Sequence, residues 1–398
     1  MNTHALSSRW LRRHAFRPPV RLRIGAEAEL LVHDATTGRP ATLDATLAFL
    51  RRFAGGYGWM VETGDKGAPR FRSAEGGSLT LEPGGQLEYA TPPHALPRTL
   101  HDDLHAVLTR LEGVADGHGL RLVAAGIDPV NGIEAAPLLL DSPRYRAMDA
   151  YFAAIGPAGA RMMRQTAALQ INVDAIDPRE AWRTLNAVAP VLVAAFARSS
   201  AYAGAPTGHA SFRASTWRAV DPARTGILGE GPPEDVYAAF ALGAPVMLGA
   251  GKVRSAAELL AQPGRAAAWA THLSTLFPEV RPRGHLEVRS IDAQPATHLA
   301  APLLMVSVLA WDPSAAREAA TLVGPPDSRL LELAGRCGVR DARLAQLTDE
   351  LSALVLQTAR TMRGGMFGDL VDRAQDELGS VRRERASEMR LVPQPLVD

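Results

Sequence analysis

Along the chain, short stretches in which apolar and polar positions alternate are separated by longer stretches of helical spacing. Residues 22–34, LRIGAEAELLVHD, alternate as a strand and run into the turn-forming TTGRP, after which LDATLAFLRRFA has the spacing of an amphipathic helix. SLTLEPGGQLEYAT reads as two short extended pieces broken by Pro83, Gly84 and Gly85. From Arg98 to His118, Leu100, Leu104, Val107, Leu108 and Leu111 share one helical face; Gly119 ends it and LRLVAAGID follows as a strand. MDAYFAAI is helix-like, ALQINVDAI is strand-like, and Asp177-Pro178 opens an alanine-rich helix expected to run to about Tyr202. GHASFRASTWRAVDPARTG is polar and irregular, HLEVRSID is a late strand, and from Thr297 the pattern is helical with breaks near Gly324-Pro325-Pro326, Gly338 and Gly364-Gly365.

Strands and helices are interleaved with no repeat and no low-complexity linker, which predicts an α+β fold in one unit, residues 20–398, with a helical C-terminal part at about 297–390. Residues 1–19 carry Arg9, Arg12, Arg13 and Arg17 with no acid before Glu27, and they lack the apolar stretch of a secretory signal. A basic flexible leader is expected there. The chain has 398 residues, 46% of them hydrophobic, enough for a large core. With 43 basic and 42 acidic residues the formal charge is +1, so no bulk field draws the protein to nucleic acid or to a membrane surface, and small-molecule partners are expected. No uncharged apolar run reaches the roughly 18 residues of a membrane span. Cys337 is the sole cysteine, which excludes an intramolecular disulfide or a thiol metal cluster and suits a reducing cytoplasm.

Four of the strands share a feature that composition alone does not require. Glu27 and Glu29 point to the same side of their strand; Gln86 and Glu88 share a face, with Glu82 just upstream of the turn. Gln170, Asn172 and Asp174 alternate with Leu169, Ile171 and Val173, and Glu287 and Arg289 alternate with Leu286 and Val288. For one strand, an ordinary solvated face accounts for such a pattern. Four faces rich in Glu, Gln and Asn, and poor in the Thr, Ser and Lys of solvated strands, instead offer the hard oxygen ligands that magnesium prefers. On adjacent strands they would hold metal against the phosphates of ATP, with Arg289 placed to cover charge on a transferred phosphoryl group.

Other motifs fall away. LGAGKV around Lys252 has Val253 where a phosphate loop needs Ser or Thr, and no GxGxxG follows a strand. His33, His94 and His209 lack metal-ligand spacing and are expected to be surface or hydrogen-bonded side chains, and Cys337 to be a buried inert thiol.

At these residues the sequence resembles the second family of glutamate-cysteine ligases, the plant-type and actinobacterial ergothioneine-pathway enzymes. The matching segments are GAEAEL at 25–30, LTLEPGGQLEYATPP at 79–93, QTAALQINVD at 165–174, FRASTWRAVDPARTG at 212–226 and HLSTLFPEVRPRGHLEVRSIDAQP at 272–295. The resemblance implies a glutamine-synthetase-like curved antiparallel sheet funnel backed by helices. It also implies a reaction in which ATP phosphorylates the glutamate side chain and the amine of cysteine displaces the phosphate, giving γ-glutamylcysteine for glutathione or ergothioneine synthesis.

By the same resemblance, Glu27, Glu29, Glu82, Glu88 and Glu287 are the carboxylates for two or three Mg2+ ions, or Mn2+, and for nucleotide, with Glu82 and Glu88 both open as direct ligands. Glu88 and Arg289 are the catalytic pair, Arg289 as the phosphate-stabilising arginine. Gln170 and Asn172 form a polar floor, Arg213, Trp217 and Arg224 a glutamate-binding loop, and His272, Arg281 and Arg283 are further candidates for carboxylate or phosphate. The substrates implied are ATP, glutamate and cysteine. Two alternatives stay open: a ligase that joins glutamate to another amine, and an inactive paralogue that binds nucleotide. The amine pocket and the oligomeric state are left unassigned.

Overall fold

A computed structural model describes residues 3–64, 67–247, 253–260, 265–362 and 365–391. The excluded phosphate-loop candidate around Lys252 and the break at Gly364 lie largely outside them. The alternating stretch at the start of the chain forms β1 (Ile24–Asp34), the axis of a nine-stranded sheet. The other strands are β2 (Met60–Glu62), β3 (Arg70–Arg72), β4 (Ser78–Leu81), β5 (Leu87–Ala90), β6 (Leu120–Val123), β7 (Ala168–Val173), β8 (Val280–Pro282) and β9 (Leu286–Asp292). Their order is β8-β9-β7-β1-β5-β4-β3-β2, with β6 on the far end of β1, and every pairing is antiparallel.

Period-two alternation decides the two faces. Ala26, Ala28 and Leu30 of β1, Leu169, Ile171 and Val173 of β7, and Leu286 and Val288 of β9 are buried against helices. Glu27, Glu29, Gln170, Asn172, Glu287 and Arg289 necessarily share the opposite face.

The helices in chain order are α1 (Thr3–His14), α2 (Leu43–Tyr57), α3 (Pro97–Asp116), α4 (Pro143–Ala153), α5 (Ala158–Gln165), α6 (Pro178–Ala195), α7 (Phe212–Arg218), α8 (Pro233–Gly243), α9 (Ala256–Leu260), α10 (Arg265–Leu273), α11 (Ala300–Trp311), α12 (Pro313–Val323), α13 (Ser328–Cys337), α14 (Ala342–Thr361) and α15 (Leu370–Leu391). Helices α3, α6 and α11 back the apolar face of the sheet. α11 is apolar all round and every residue of it is buried, as its central position between sheet and outer helices demands. Aspartates set the starts: Asp177, Asp312, Asp327 and Asp341 each accept backbone N–H bonds in the first turn of α6, α12, α13 and α14.

Three expectations are corrected. The N-terminal stretch is not a frayed leader: residues 3–14 are helical, and Ser7, Leu11 and Ala15, four apart, form a buried stripe against α8. Phe16 meets Trp182 edge-on at 5.7 Å, and the Arg12 Nε donates to Glu234 Oε1 at 2.9 Å, so part of the basic charge is paired. The irregular segment after Gly208 contains α7, started by Ser211, whose hydroxyl accepts from the Ala214 N–H. Helix α6 stops at Ala195 instead of near Tyr202, because the chain beyond turns to Asp292, which accepts from the Arg198 N–H and the Ser199 hydroxyl.

Candidate active site

Register places the polar residues in rows across the sheet. Arg281, Glu287, Asn172 and Gly25 stand side by side on β8, β9, β7 and β1. Gln170 faces Glu27 in the next row, and Glu29, Glu88 and Thr80 form a third. Adjacent strands are about 4.8 Å apart, so side chains on neighbouring rows meet directly. A register shift between Val288 and Ile291 re-aims Arg289 toward Gln170, whose Oε1 accepts from its guanidinium. The tight turn after β4 adds Glu82: Gly85, at φ 89°, closes it with an N–H to the Glu82 carbonyl at 2.8 Å. Gln86 anchors that turn, accepting from the Gly84 N–H at 3.0 Å and donating to the Thr166 carbonyl at 3.0 Å.

These rows line a cleft of about 320 Å³ with two electrically opposite banks. Glu27, Glu29, Glu82 and Glu88 form the acidic bank; Arg144, Arg281, Arg283 and Arg289 form the basic one. Trp217 and Phe277 flank the basic bank, with the Arg289 guanidinium 5.2 and 5.6 Å from their ring centres.

On the acidic side, Glu29 accepts from Gln170 Nε2 at 2.6 Å and from the Ala168 N–H at 2.8 Å, Glu27 from Asn172 Nδ2 at 3.3 Å, and Glu88 from the Thr80 hydroxyl at 2.7 Å. Burial, with repulsion from Glu82 and Glu88, pushes the Glu29 carboxyl up to about 8; burial, with Glu88 and Glu287, raises Glu27 to about 7.

That donor set fits a hard divalent cation in chemistry. It consists of crowded carboxylate oxygens whose mutual repulsion a cation would relieve, and Asn172 Oδ1 is a buried acceptor beside Glu27 with no hydrogen-bond partner. Among the described residues, no three His, Cys, Asp or Glu side chains converge as a ready-made metal centre. The acidic bank therefore offers the donors without the closed geometry.

Several expected site residues lie elsewhere. Glu287 is fully buried, and both its oxygens bind guanidinia: Arg281 at 2.6 and 2.8 Å, Arg289 at 2.6 Å and Arg283 at 3.2 Å. Against its own burial, Arg281 and Arg289 hold its carboxyl well below the ordinary range. As placed, Glu287 fixes the basic bank and has no oxygen left for a metal. Arg224 is fully buried: it donates to Thr275 and to the Pro245 carbonyl, pairs with Asp221 at 3.1 Å and lies over the Tyr151 ring. It braces the loop and does not face the cleft.

Arg213 is likewise interior. It donates to the Arg289 carbonyl at 2.9 Å, with Asp292 at 3.7 Å, while Trp217 of the same helix does line the cleft. His272 is buried beneath α8, donates Nε2–H to the Ala241 carbonyl at 2.7 Å, and burial pushes its pKa down to about 4, so it is a neutral structural side chain. Asp174 caps the Arg23 N–H at the strand end.

His33, His94 and His209 are hydrogen-bonded to Asp128, Asp103 and the Thr207 carbonyl. Cys337, expected to be buried, is half-exposed. Sequence reasoning missed Arg144, which reaches the cleft from α4 and donates to the Ser274 carbonyl at 3.0 Å, and the wall of Tyr145, Met148, Met162 and Met163. Their only sequence signal was the helix-like MDAYFAAI; α5, which carries Met162 and Met163, was not expected.

Comparison with known proteins places this geometry. A model of glutamate-cysteine ligase family 2 matches residues 23–391. The glutamate–cysteine ligase EgtA of Mycolicibacterium smegmatis is 35% identical over 294 residues, 68% of this chain and 68% of that protein. The chloroplastic glutamate–cysteine ligase of Arabidopsis thaliana is 30% identical over 319 residues, 73% of this chain and 60% of that protein. Among solved structures, the glutamate–cysteine ligase of Francisella tularensis in complex with AMP has a TM-score of 0.53 at 11% identity, covering 96% of this chain and 86% of that one, a likeness of fold. By the extent of the family match and its similarity to these relatives, the chain belongs to glutamate-cysteine ligase family 2.

Proposed function

We propose that the protein joins the γ-carboxylate of glutamate to the amine of cysteine with cleavage of ATP to ADP and phosphate, giving γ-glutamylcysteine. The observation that carries this is one cleft with an acidic and a basic bank facing each other across the same sheet. A carboxylate and a triphosphate repel one another, and such a cleft supplies what each needs. Glu27, Glu29, Glu82 and Glu88 would hold magnesium, or manganese, which when bound neutralises phosphate charge. Arg283 and Arg289, each held through one nitrogen by Glu287, would turn their remaining donors to phosphoryl or carboxylate oxygens, with Arg281, bonded to Glu287 and the Leu276 carbonyl, bracing them.

In the first step a glutamate side-chain oxygen attacks the γ-phosphorus and ADP leaves; Arg289 covers the charge on the transferred group. In the second, the amine nitrogen attacks the acyl carbon, phosphate leaves with the bonding pair, and the amine loses its proton. Holding the amine in line accounts for much of that second step. Among the described residues no helix is long and apolar enough to cross a membrane; a cytoplasmic setting, with its free cysteine, fits the proposal.

Purified protein with ATP, magnesium and glutamate, presented with a panel of amines and followed by mass spectrometry, tests it. γ-Glutamylcysteine should form with cysteine; 2-aminobutyrate should partly replace it, and serine less well. Glutamate-dependent turnover with another amine and none with cysteine would keep the ligase and discard its substrate. No glutamate-dependent ADP release would leave the inactive, nucleotide-binding alternative.

A further inference from the structure

A second cavity, of about 460 Å³, shares no residue with the cleft and is the larger of the two. It is enclosed by the loop after α6, the turn between α13 and α14, and the middle of α15. Its size falls within the range of about 300–1,000 Å³ usual for small-molecule pockets. Two arginines line it, Arg198 and Arg340, the latter exposed and donating to the Cys337 and Arg336 carbonyls at 3.1 and 3.2 Å, together with His209 and His298; Glu377 is the acid among the described lining residues. That carboxylate is turned to the start of α11, accepting from the Ala300 and Ala301 N–H groups at 3.0 and 2.8 Å. Arg198 is exposed at the mouth of the cavity, and its guanidinium makes no hydrogen bond or ion pair with any described residue, whereas its backbone N–H is held by Asp292. Alanine, Phe196 and Val339 make up much of the remaining wall, and the cavity is more extensive than a bare inorganic ion fills.

The wall is also connected to the cleft. Asp292, buried, accepts from the Arg198 N–H at 2.8 Å, the Ser199 hydroxyl at 2.7 Å and the Ser211 hydroxyl at 2.9 Å. It lies 3.7 Å from Arg213, which donates to the carbonyl of Arg289. Gly126 packs against the Asp292 carboxylate so closely that a Cβ there would sit 2.4 Å from it, leaving no slack in the hub. A ligand that moves the Arg198 backbone therefore acts on the element that presents Arg289.

We propose that this cavity is a second binding site, for a small organic acid with at least two carboxylates, and that its occupancy is transmitted through Asp292 and Arg213 to the basic bank of the cleft. The site itself is independent of the ligase assignment; only its kinetic consequence rests on that assignment. Cys337, the chain's only cysteine, lies in the cavity wall and serves as a reporter.

The probe is citrate, with inorganic phosphate as the comparison, and the measurement is the rate at which iodoacetamide alkylates Cys337. At about ten times its dissociation constant, citrate should slow alkylation on the order of tenfold. Phosphate should do so far less, and the protection should be lost in Arg198→Ala and in Arg198→Ala/Arg340→Ala proteins that melt like wild type. Unchanged alkylation with citrate, equal protection by phosphate, or protection retained in a folded Arg198→Ala protein overturns the site. For the connection, with free magnesium held constant and in excess over citrate, citrate should alter the KM for glutamate in wild-type ADP release, and Asp292→Asn should abolish that effect while keeping the alkylation protection. Protection with no kinetic effect in an active enzyme overturns the connection.

Discussion

Glu29 sits where its charge is hardest to sustain. Its two oxygens are satisfied by Gln170 and the Ala168 N–H, yet burial and two neighbouring glutamates push its pKa up to about 8. Glu29→Gln keeps the shape and one accepting oxygen and removes the charge. The magnesium concentration for half-maximal ADP release should rise on the order of tenfold or more. An unchanged magnesium requirement with unchanged turnover would remove Glu29 from metal binding. Arg289 differs, because it is already paired with Glu287 and Gln170 and flanked by Trp217 and Phe277. Arg289→Lys retains a charge but loses the planar fork and the stacking, so kcat should fall on the order of 100-fold, with little change in melting temperature. A lysine variant with near-normal kcat would end its assignment to the phosphoryl group.

Among the elements, the turn between β4 and β5 carries most of the precision of the acidic bank. A Cβ on Gly84 would lie 2.2 Å from the Arg164 carbonyl oxygen, and neither backbone can yield without moving Glu82 and Gln86 or the end of α5. Gly84→Ala should destabilise the fold by about 1–3 kcal/mol and raise the KM for ATP; differential scanning calorimetry and initial rates check both halves. Turns and strands of this kind were legible in the sequence because period-two alternation with one oxygen-rich face marks both the strand and the side its carboxylates take. Glu27, Glu29, Gln170 and Asn172 do share a face, and their register follows from the pairing of β1 with β7. Less legible were short or solitary elements. α7 is 7 residues long, under two helical turns, so no periodicity could accumulate. α1 hides its buried Ser7 and Leu11, continued by Ala15 just beyond it, among three arginines, and small residues signal burial weakly. The roles of Arg213, Arg224 and His272 were unreadable for another reason: whether an arginine or histidine faces a cleft or braces a loop depends on partners, Arg289, Thr275 and Ala241, that only the folded chain supplies.

Across the whole molecule, the titration of buried groups makes stability depend on pH in opposite senses on the two sides of a maximum. On the acid side stand groups whose folded pKa is depressed. His272 is lowered to about 4, by burial first, and Glu287 and Asp128 are held low by their arginine and histidine partners against their own burial. The unfolded chain binds protons that these groups do not, so they contribute stability above their unfolded pKa that is lost as pH falls through the folded one. On the alkaline side are Glu27 and Glu377, raised to about 7, and Glu29, raised to about 8, all chiefly by burial. Here the folded protein holds protons that the unfolded chain has released, so the contribution is present below the ordinary carboxylate pKa and declines as pH rises through 7 and 8. The metal-free protein should therefore be most stable on the acid side of neutrality, and its melting temperature should decline between pH 6 and 8.5. Glu29→Gln removes one of the raised groups while setting its amide NH2 against the Ala168 N–H or the Gln170 amide, so its melting temperature should fall less steeply than that of wild type between pH 6 and 8.5, and it should turn over more slowly. Calorimetric melts in chelator at half-unit intervals decide it: curves for wild type and Glu29→Gln that stay parallel from pH 6 to 8.5 would mean that the Glu29 carboxyl is already ionised without penalty in the fold.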